Sequence, residues 1–406
     1  MSATYTEPTT TTRERGFEEI ESPMAHLSPA QLDELGREFD ALHAEIFADL
    51  GERDSRYIRS TIRLHRHLVL AARALLLGSS KRPLWFAGTA ALSLAKILEN
   101  MEIGHNVMHG QWDWMNDPDI NSQSWDWDTA SPADAWRHSH NYEHHTFTNI
   151  RGLDRDLGYE IMRIDPHQPW NPVYLLQPLY NLLLMGFFEW GVAVHDLNWD
   201  AIGTGEKTKA QVLSELGAIG VKARRQVIKD YVAFPALSAA ASALAAAASG
   251  RGGSRRAARR SFKATATADF TANIVRNVWA HSIIFCGHFP DQTYTFSKAE
   301  ATEETRGQWY VRQLTGSANI DGSSLFHLLA GNLSFQVEHH LFPDMPSSRY
   351  SEIAPRVRDI CHRYGLPYNT GPLSKQLGTV HRTILRLAFP GGKPRRKPGP
   401  YAPEAV

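Results

Sequence analysis

Hydrophobic positions near the start of the chain follow a helical repeat. Ser28-Pro29-Ala30-Gln31 has the pattern of a capping box with proline at the first helical position. The hydrophobic residues after it recur every three or four positions and are Leu32, Leu35, Phe39, Leu42, Ile46 and Leu50. This spacing predicts an amphipathic helix that packs on a part of the protein outside any membrane.

Five longer apolar stretches follow, at residues 68–78, 84–97, 173–194, 231–248 and 268–285. The turn signal at residues 79–83 joins the first two stretches and predicts a helical hairpin. A membrane-spanning helix needs about 20 mostly apolar residues, and these stretches are short or interrupted. The mean hydropathy of −0.36 therefore indicates that most of the chain lies outside a bilayer.

The stretch 173–194 differs from the others because it contains Gln177, Pro178, Asn181 and Glu189, which are costly in lipid. We predict that it lies at the membrane interface and that the other four stretches are spanning helices in two hairpins. His195 follows it and is predicted to be interfacial as well. The predicted fold is an all-α membrane protein with four transmembrane helices and a cytosolic helical cap.

The connection between the last two predicted spans is strongly basic. Cations prefer the cytoplasmic side of a membrane, whereas four crossings place this connection on the side away from the cap. The sequence leaves this conflict open. The basic residues are Arg251, Arg255, Arg256, Arg259, Arg260 and Lys263.

Charge and cysteine content exclude several classes of protein. The 43 acidic and 43 basic side chains balance, which gives no indication of a nucleic acid partner. Cys286 and Cys361 are far apart, which argues against a disulfide framework or a cysteine-based zinc site. Residues 1–26 are polar and predicted to be disordered, residues 27–388 form one predicted domain, and residues 389–406 are a predicted flexible tail rich in Pro and Gly.

Histidine is the residue type that carries the chemistry, with 19 in the chain. Three groups have short spacing: His105-x3-His109, His140-x3-His144-His145 and Gln336-x2-His339-His340. On helices, side chains three to five positions apart converge. Imidazole binds Fe, Zn, Cu or Ni, and seven histidines exceed the ligand number of one zinc ion, so two metal ions are the simpler prediction. The chain has no HExxH motif, and Glu102-x-x-His105 is the only candidate for a ferritin-like ligand pair.

The order of these groups, with apolar segments between them, resembles the membrane fatty acid desaturase superfamily. HNYEHHTFTN at residues 140–149 and QVEHHLFP at residues 336–343 are similar to the front-end (linoleoyl-CoA-type) and acyl-CoA desaturase branches. EIGHNVMHGQWDWMNDP and RNVWAHSIIFCGHFPD are similar to actinobacterial acyl-CoA desaturases of the mycobacterial type. The resemblance covers about residues 58–372 and implies two iron ions held by histidine.

The resemblance also implies which residues hold the metal. The implied ligands are His105, His109, His140, His144, His145, His339, His340 and one further residue between the second and third groups. His288 in Gly-His-Phe-Pro is favoured for it, and His281, four residues after Asn277, is the alternative. Gln336 stands where other branches have histidine, so it binds iron, binds it through water, or only forms a hydrogen bond. Asp154 and Asp156 are candidates to orient the ligands.

The implied activity is that of an O2-dependent oxidoreductase that desaturates a fatty acyl chain, with acyl-CoA favoured and stearoyl-CoA at its ninth carbon as the leading substrate. A hydroxylase on the same scaffold is the alternative. The chain has no GxGxxG fingerprint and no cysteine cluster, so a separate NAD(P)H-dependent flavin/iron–sulfur reductase is the implied partner. The implied location is the bacterial inner membrane, in contact with lipid, with the active site on the cytoplasmic side. Chain length, double-bond position and carrier stay open.

Overall fold

The computed structural model describes residues 22–250, 253–290 and 292–392, and most of these residues are helical. The predicted disordered ends lie largely outside the described residues, so those predictions stay untested. The α-helices, in chain order, are α1 (Pro29–Ala48), α2 (Glu52–Leu76), α3 (Arg82–Leu98), α4 (Asn106–Met108), α5 (Ala133–Trp136), α6 (His145–Phe147), α7 (Gln177–Gly186), α8 (Phe188–His195), α9 (Trp199–Gly203), α10 (Lys209–Val227), α11 (Phe234–Ala248), α12 (Ser254–His288), α13 (Lys298–Ala301), α14 (Arg306–Thr315), α15 (Ser324–Leu329), α16 (Gln336–Leu341), α17 (Tyr350–Arg363) and α18 (Leu373–Leu387).

Other regular elements are short. Among the described residues, three segments are π-helical: Glu99–His105, Arg137–His144 and Ile228–Ala233. Five are 3-10 helical: Asp113–Met115, Leu157–Glu160, Pro172–Leu176, Leu333–Phe335 and Ser347–Arg349. Two strands, β1 (Asn319–Asp321) and β2 (Thr370–Pro372), pair in parallel with Asn319 opposite Thr370.

Helix α1 forms as its hydrophobic pattern predicts. The Ser28 side chain accepts a hydrogen bond from the Gln31 backbone amide, and the Gln31 side chain accepts one from the Ser28 backbone amide at 2.9 Å. Its apolar face, which includes Leu35 and Phe39, is buried in a core shared with α14, α16 and α17. The predicted capping box is confirmed, and these four helices are called the cap below.

Two helical hairpins pack side by side as a bundle. Helix α2 turns into α3, and α11 is followed by α12. The Trp85 indole donates a hydrogen bond to the Ala264 carbonyl at 2.9 Å, and the hydroxyls of Ser79 and Thr265 lie 2.9 Å apart. Helices α3 and α12 therefore begin at the same end of the bundle and run towards the histidines, since α3 leads into His105 and α12 ends at His288.

One helix of the described residues is long and apolar enough to cross a membrane. Helices α10 and α11 join through a π-helical turn into one helix, Lys209–Ala248, of 40 residues, and little of its most apolar part is buried inside the protein. The two predicted hairpins are present. The count of four membrane spans is not confirmed by this length and composition, and it remains a prediction.

The apolar stretch 173–194 is divided into several helices rather than forming one. It contains most of a 3-10 turn, then α7 and α8, which break at Phe187. The polar residues that suggested an interfacial position are buried and bonded: the Gln177 amide oxygen accepts from Arg163, and Glu189 accepts from Gln226 at 2.7 Å. Hydrogen bonds inside the protein offset the cost of removing these groups from water. The polar side chains thus face the core, while Leu179, Leu182 and Leu183 are exposed.

A network of buried charges joins the four helices of the bundle. The fully buried Asp230 lies 3.2 Å from the Arg73 guanidinium and 2.9 Å from the Lys96 ammonium. Arg73 also contacts Asp269 at 2.6 Å, and the Asn273 amide donates to Asp230 at 3.3 Å. These residues come from α2, α3, the turn before α11 and α12. The network therefore fixes the position of all four helices relative to one another.

Candidate metal centre

The first two histidine groups begin on π-helical turns, which occur frequently at functional sites: His105, His140 and His144 lie on these turns, His109 follows α4 and His145 begins α6. The turn Glu99–His105 continues α3, and the turn Arg137–His144 follows α5. Gly104 is required in the first turn, because a Cβ atom there would lie 2.9 Å from the Glu99 carbonyl oxygen and 3.1 Å from the Trp127 Cβ. The absence of a side chain at Gly104 lets Trp127 pack against the turn that carries His105.

The structure brings together all eight histidines that the sequence singled out as favoured ligands. The ring nitrogens within one set lie at most 4.8 Å apart, and the sets are His105, His109, His140 and His339; His144, His288 and His340; and His145, His339 and His340. The Nε2 atoms of His105 and His140 are 3.3 Å apart. Two nitrogens bound about 2.1 Å from one metal at right angles lie about 3 Å apart, so this spacing suits a shared ion.

The two nitrogens of these rings have different surroundings. Within the described residues, the buried Nε2 atoms of His109, His144, His145, His339 and His340 have no hydrogen-bond partner. On the other side of the ring, Nδ1 of His144 lies 3.0 Å from Asp154, Nδ1 of His339 lies 3.1 Å from the Tyr350 hydroxyl, and Nδ1 of His340 lies 3.1 Å from the Gln313 amide oxygen. Imidazoles that bind a metal use the second nitrogen in this way, so these residues fit a metal.

Burial keeps most of these imidazoles neutral, which leaves a lone pair for a metal. Burial holds the pKa of His339 and His340 well below the ordinary value. His144 is the exception. Burial also acts to lower its pKa, but the charge and hydrogen bond of Asp154 raise it above the ordinary value.

Asp156 contacts two histidines, of which one was not expected. One carboxylate oxygen lies 3.3 Å from His140 Nδ1, and the other lies 2.9 Å from His195 Nε2. Burial acts to raise the pKa of Asp156, but hydrogen bonds to His140 and His195 outweigh it and bring the pKa well below its ordinary value. The ring of His195 is buried beside this carboxylate and so belongs to the surroundings of the centre, while its predicted interfacial position stays a prediction.

The alternative ligands lie in different places. The His281 Nε2 atom lies 3.1 Å from the Asn181 side chain, and the ring stacks on Phe285 outside the three histidine sets. The Asn277 amide donates to the Gly186 carbonyl at 3.0 Å. The Gln336 amide nitrogen, in contrast, lies 3.0 Å from His288 Nε2, and its buried oxygen has no partner within the described residues. Of these three candidate residues, Gln336 is therefore the one that lies next to a predicted ligand, His288.

Three contacts to this centre had no signal in the sequence. His195, Gln313 and Tyr350 come from α8, α14 and α17, and none belongs to a short histidine motif. Their partners are far away along the chain, and pattern or spacing does not reveal such pairs. Asp154 and Asp156 were found because they follow the second histidine group closely.

A cavity passes the histidines, and most of its exposed surface is apolar, although its lining also includes the carboxylates of Asp156, Glu189 and Asp196. His105, His140 and His288 form part of its wall. The apolar lining includes Trp127, Trp136, Tyr159, Phe188, Val192, Ile284 and Leu333. A second cavity adjoins the first and shares Trp127 and Thr129 with it. The Trp residues near the second histidine group thus line these cavities.

Comparison with known proteins agrees with this geometry. Over 370 residues, the chain is 44% identical to the NADPH-dependent stearoyl-CoA 9-desaturase of Mycobacterium tuberculosis, which covers 90% of this chain and 82% of that one. Human fatty acid desaturase 3 is 36% identical over 87 residues, which is 21% of this chain and 20% of that one. No solved structure matches the chain.

The family model described as fatty acid desaturase matches residues 83–372. This range includes all three histidine groups and His288. The resemblance stated from the motifs is confirmed, and the chain belongs to the fatty acid desaturase family.

Proposed function

We propose that this protein is an acyl-CoA desaturase that introduces a double bond into the acyl chain with O2 and electrons from a separate NAD(P)H-dependent reductase. The observation that carries the proposal is the set of eight mostly buried imidazoles beside a cavity whose exposed surface is mostly apolar. The relative named as a stearoyl-CoA 9-desaturase supports stearoyl-CoA as the substrate and the ninth carbon as the position.

The proposed metal content is two iron ions. His105, His109, His140 and His339 would hold one, and His144, His288 and His340 would hold the other, with His145 between them. Gln336, whose amide lies 3.0 Å from His288 Nε2, would be a further candidate to hold the second ion. With O2, the iron pair supplies the oxidising power that removal of hydrogen from an unactivated methylene group requires.

The contribution of the protein is to position the chain and to exclude water. Phe188, Val192, Ile284 and Leu333 bind the acyl chain by apolar contact and hold its methylene groups against the wall formed by His105, His140 and His288. Asp154 and Asp156 fix the rings of His144 and His140 through Nδ1, so that Nε2 faces the metal.

The proposed placement is in the bacterial inner membrane, with the helix bundle spanning the bilayer and the cap in the cytoplasm. From Arg82 to His105 the continuous helix measures about 35 Å, compared with about 30 Å for the hydrocarbon core. The histidines would then lie near one headgroup region, where the carrier of an amphipathic substrate stays in water.

The second cavity is the proposed site for the phosphates of the carrier. Its lining includes Arg66, Lys222, Arg225 and Lys229. Lys222 and Lys229 form ion pairs with Asp126 and Asp128, respectively. In contrast, Arg66 and Arg225 form no ion pair within the described residues. These two arginines are the cations left to bind an anionic group.

Replacing Arg66 and Arg225 with glutamine is expected to raise the KM for acyl-CoA about tenfold, equivalent to the loss of one charged hydrogen bond. The kcat should change little, because contacts to the carrier are present in ground state and transition state alike. Steady-state kinetics of the purified protein with its reductase would measure this. The matched control replaces Arg63 and Arg224, which lie on the same helices outside the cavity. Equal effects of both pairs would reject this site.

Val192→Phe is expected to shift the products towards shorter acyl chains, because the larger ring fills part of the cavity beside the histidines. The preference between two chain lengths should change about tenfold or more, since small differences in an apolar pocket are worth this much. Competition between acyl-CoA substrates, followed by gas chromatography, gives the ratio. Val194→Phe is the control, because Val194 is exposed on the same helix. An unchanged ratio in Val192→Phe would place the acyl chain elsewhere.

The direct test is expression of the full chain in a host that lacks its own desaturase, together with a reductase, followed by fatty-acid profiling. The expected result is a monounsaturated acid with its double bond after the ninth carbon, and about two irons per purified chain. A hydroxylated product would favour the hydroxylase alternative. One zinc per chain, or no metal, would reject the proposal.

A further inference from the structure

The start of α12 and the start of α3 together form a strongly cationic tip on the helix bundle. Hydrogen bonds between Trp85 and Ala264 and between Ser79 and Thr265 hold the start of α3 beside the third turn of α12, so the first turns of α12 extend beyond α3 at this end of the bundle. The cations of this tip are all exposed and are Lys81, Arg82, Arg255, Arg256, Arg259, Arg260 and Lys263. We call this set the cationic tip.

Acidic groups do not neutralise the cationic tip. The sequence has no Asp or Glu in residues 55–98 or 231–268, which include both helix starts. Within the described part of the chain, none of the seven cations forms an ion pair with an acidic side chain. A counter-charge therefore has to come from outside these segments.

The sides of the bundle next to the tip are apolar and exposed. Phe86 is 64% exposed, Leu244 is 71% exposed and Phe270 is 48% exposed. Trp85 and Phe262 add aromatic rings at the boundary between the apolar sides and the cations. An ordinary charged surface in water does not explain these apolar neighbours, whereas a bilayer has hydrocarbon next to a layer of phosphate groups.

We propose that the cationic tip binds the phosphate groups of anionic phospholipids, in the leaflet opposite the metal centre. The helix from Arg82 to His105 measures about 35 Å, and α12 measures about 42–50 Å from Arg260 and Arg255 to His288. Both lengths exceed the hydrocarbon thickness of about 30 Å, so histidines at one surface place the tip at or beyond the other. Anionic headgroups attract clustered Lys and Arg side chains. This attraction offsets the cost of placing cations on the side away from the cytoplasm, which the preference of Lys and Arg for the cytoplasmic side disfavours. The proposal resolves the conflict between the basic connection and four crossings. It requires a membrane-spanning bundle but not the proposed chemistry.

The test measures which lipids the full chain keeps around it. The protein is reconstituted into vesicles of phosphatidylcholine with a minor fraction of phosphatidylglycerol, and discs are cut from them with a styrene–maleic acid polymer. Mass spectrometry then gives the ratio of the two lipids in the discs relative to the vesicles. For the unaltered protein we expect roughly threefold or greater enrichment of phosphatidylglycerol, which added salt reduces.

A variant with Arg255, Arg256, Arg259 and Arg260 all replaced by glutamine should show the bulk lipid ratio. Its unfolding midpoint and iron content should match those of the unaltered protein, because these side chains are exposed and distant from the histidines. The control variant carries the same change of charge on exposed residues remote from the tip, at Arg37, Arg53, Arg56 and Lys298, and should keep the enrichment. Enrichment that survives in the tip variant, or none in the unaltered protein, would overturn the proposal.

The leaflet is tested separately, with phosphatidylglycerol restricted to one side of the vesicle. Glu34 is exposed on the cap, and Glu34→Cys provides a labelling site that reports which way the cap faces. The two native cysteines are buried and do not compete. Enrichment is expected when phosphatidylglycerol lies on the side opposite the label. Enrichment from the label side would contradict the proposed leaflet.

Discussion

Replacement of His340 by alanine is expected to abolish desaturation and to lower the iron content of the purified protein. Its ring lies between those of His144, His145 and His288, with centroids 5.1, 4.5 and 4.8 Å away. It belongs to two of the three ligand sets. The loss of activity should be at least about 100-fold, because even a residue that only orients a ligand is worth about 10–100-fold.

A graded series separates loss of the ligand from loss of its support. Gln313→Leu keeps His340 but removes the group that lies 3.1 Å from its Nδ1 atom. We expect this variant to lose about 10–100-fold in activity and to keep part of its iron. His362→Ala should change neither quantity, since His362 is exposed on α17. Fatty-acid profiles and metal analysis on the same preparations give both measurements, and a fully active, iron-replete His340→Ala variant would remove His340 from the centre.

The parts of this fold that the sequence predicts are those with local signals. The Ser28–Gln31 capping box and the apolar face of α1 follow from spacing over a few residues. The two hairpins follow from apolar stretches and the turn at residues 79–83. The short spacing within each histidine group predicts that its side chains converge, and the motifs around the groups identify the family. The choice of His288 over His281 also depended on its immediate neighbours.

The remaining features depend on pairs that are far apart in sequence. Nothing near His195 indicates that its ring meets Asp156, and nothing near Tyr350 indicates His339. The polar residues of 173–194 suggested a position at the membrane interface. Their partners Arg163 and Gln226 belong to other segments, so no local pattern indicates these hydrogen bonds. A polar residue in an apolar stretch is equally compatible with an interface and with a buried hydrogen bond, and only the three-dimensional structure distinguishes them.

The charges of the bundle lead to the second large prediction, which concerns stability rather than chemistry. Asp230→Ala is expected to lower the free energy of unfolding by about 3–5 kcal/mol. Asp230 is fully buried between Arg73 and Lys96, so its removal leaves two cations in the bundle without this carboxylate. For a protein of this size, the unfolding midpoint should fall by about 4–6 °C. Fluorescence-monitored unfolding in detergent measures the shift, and iron content before heating shows whether the centre formed.

The control for Asp230 is an ion pair of similar geometry at the surface. Asp126 contacts Lys222 but is 44% exposed, so Asp126→Ala should cost less than about 1 kcal/mol. The combination Asp230→Asn with Lys96→Met should recover stability relative to Asp230→Ala, because it removes a buried cation together with its partner's charge. Equal shifts for Asp230→Ala and Asp126→Ala would mean that water reaches the network and screens it. The expected difference instead requires that the four helices hold these charges away from water. The relative position of α3 and α12 then depends on the Asp230 carboxylate, and these two helices bring His105 and His288 to the metal centre.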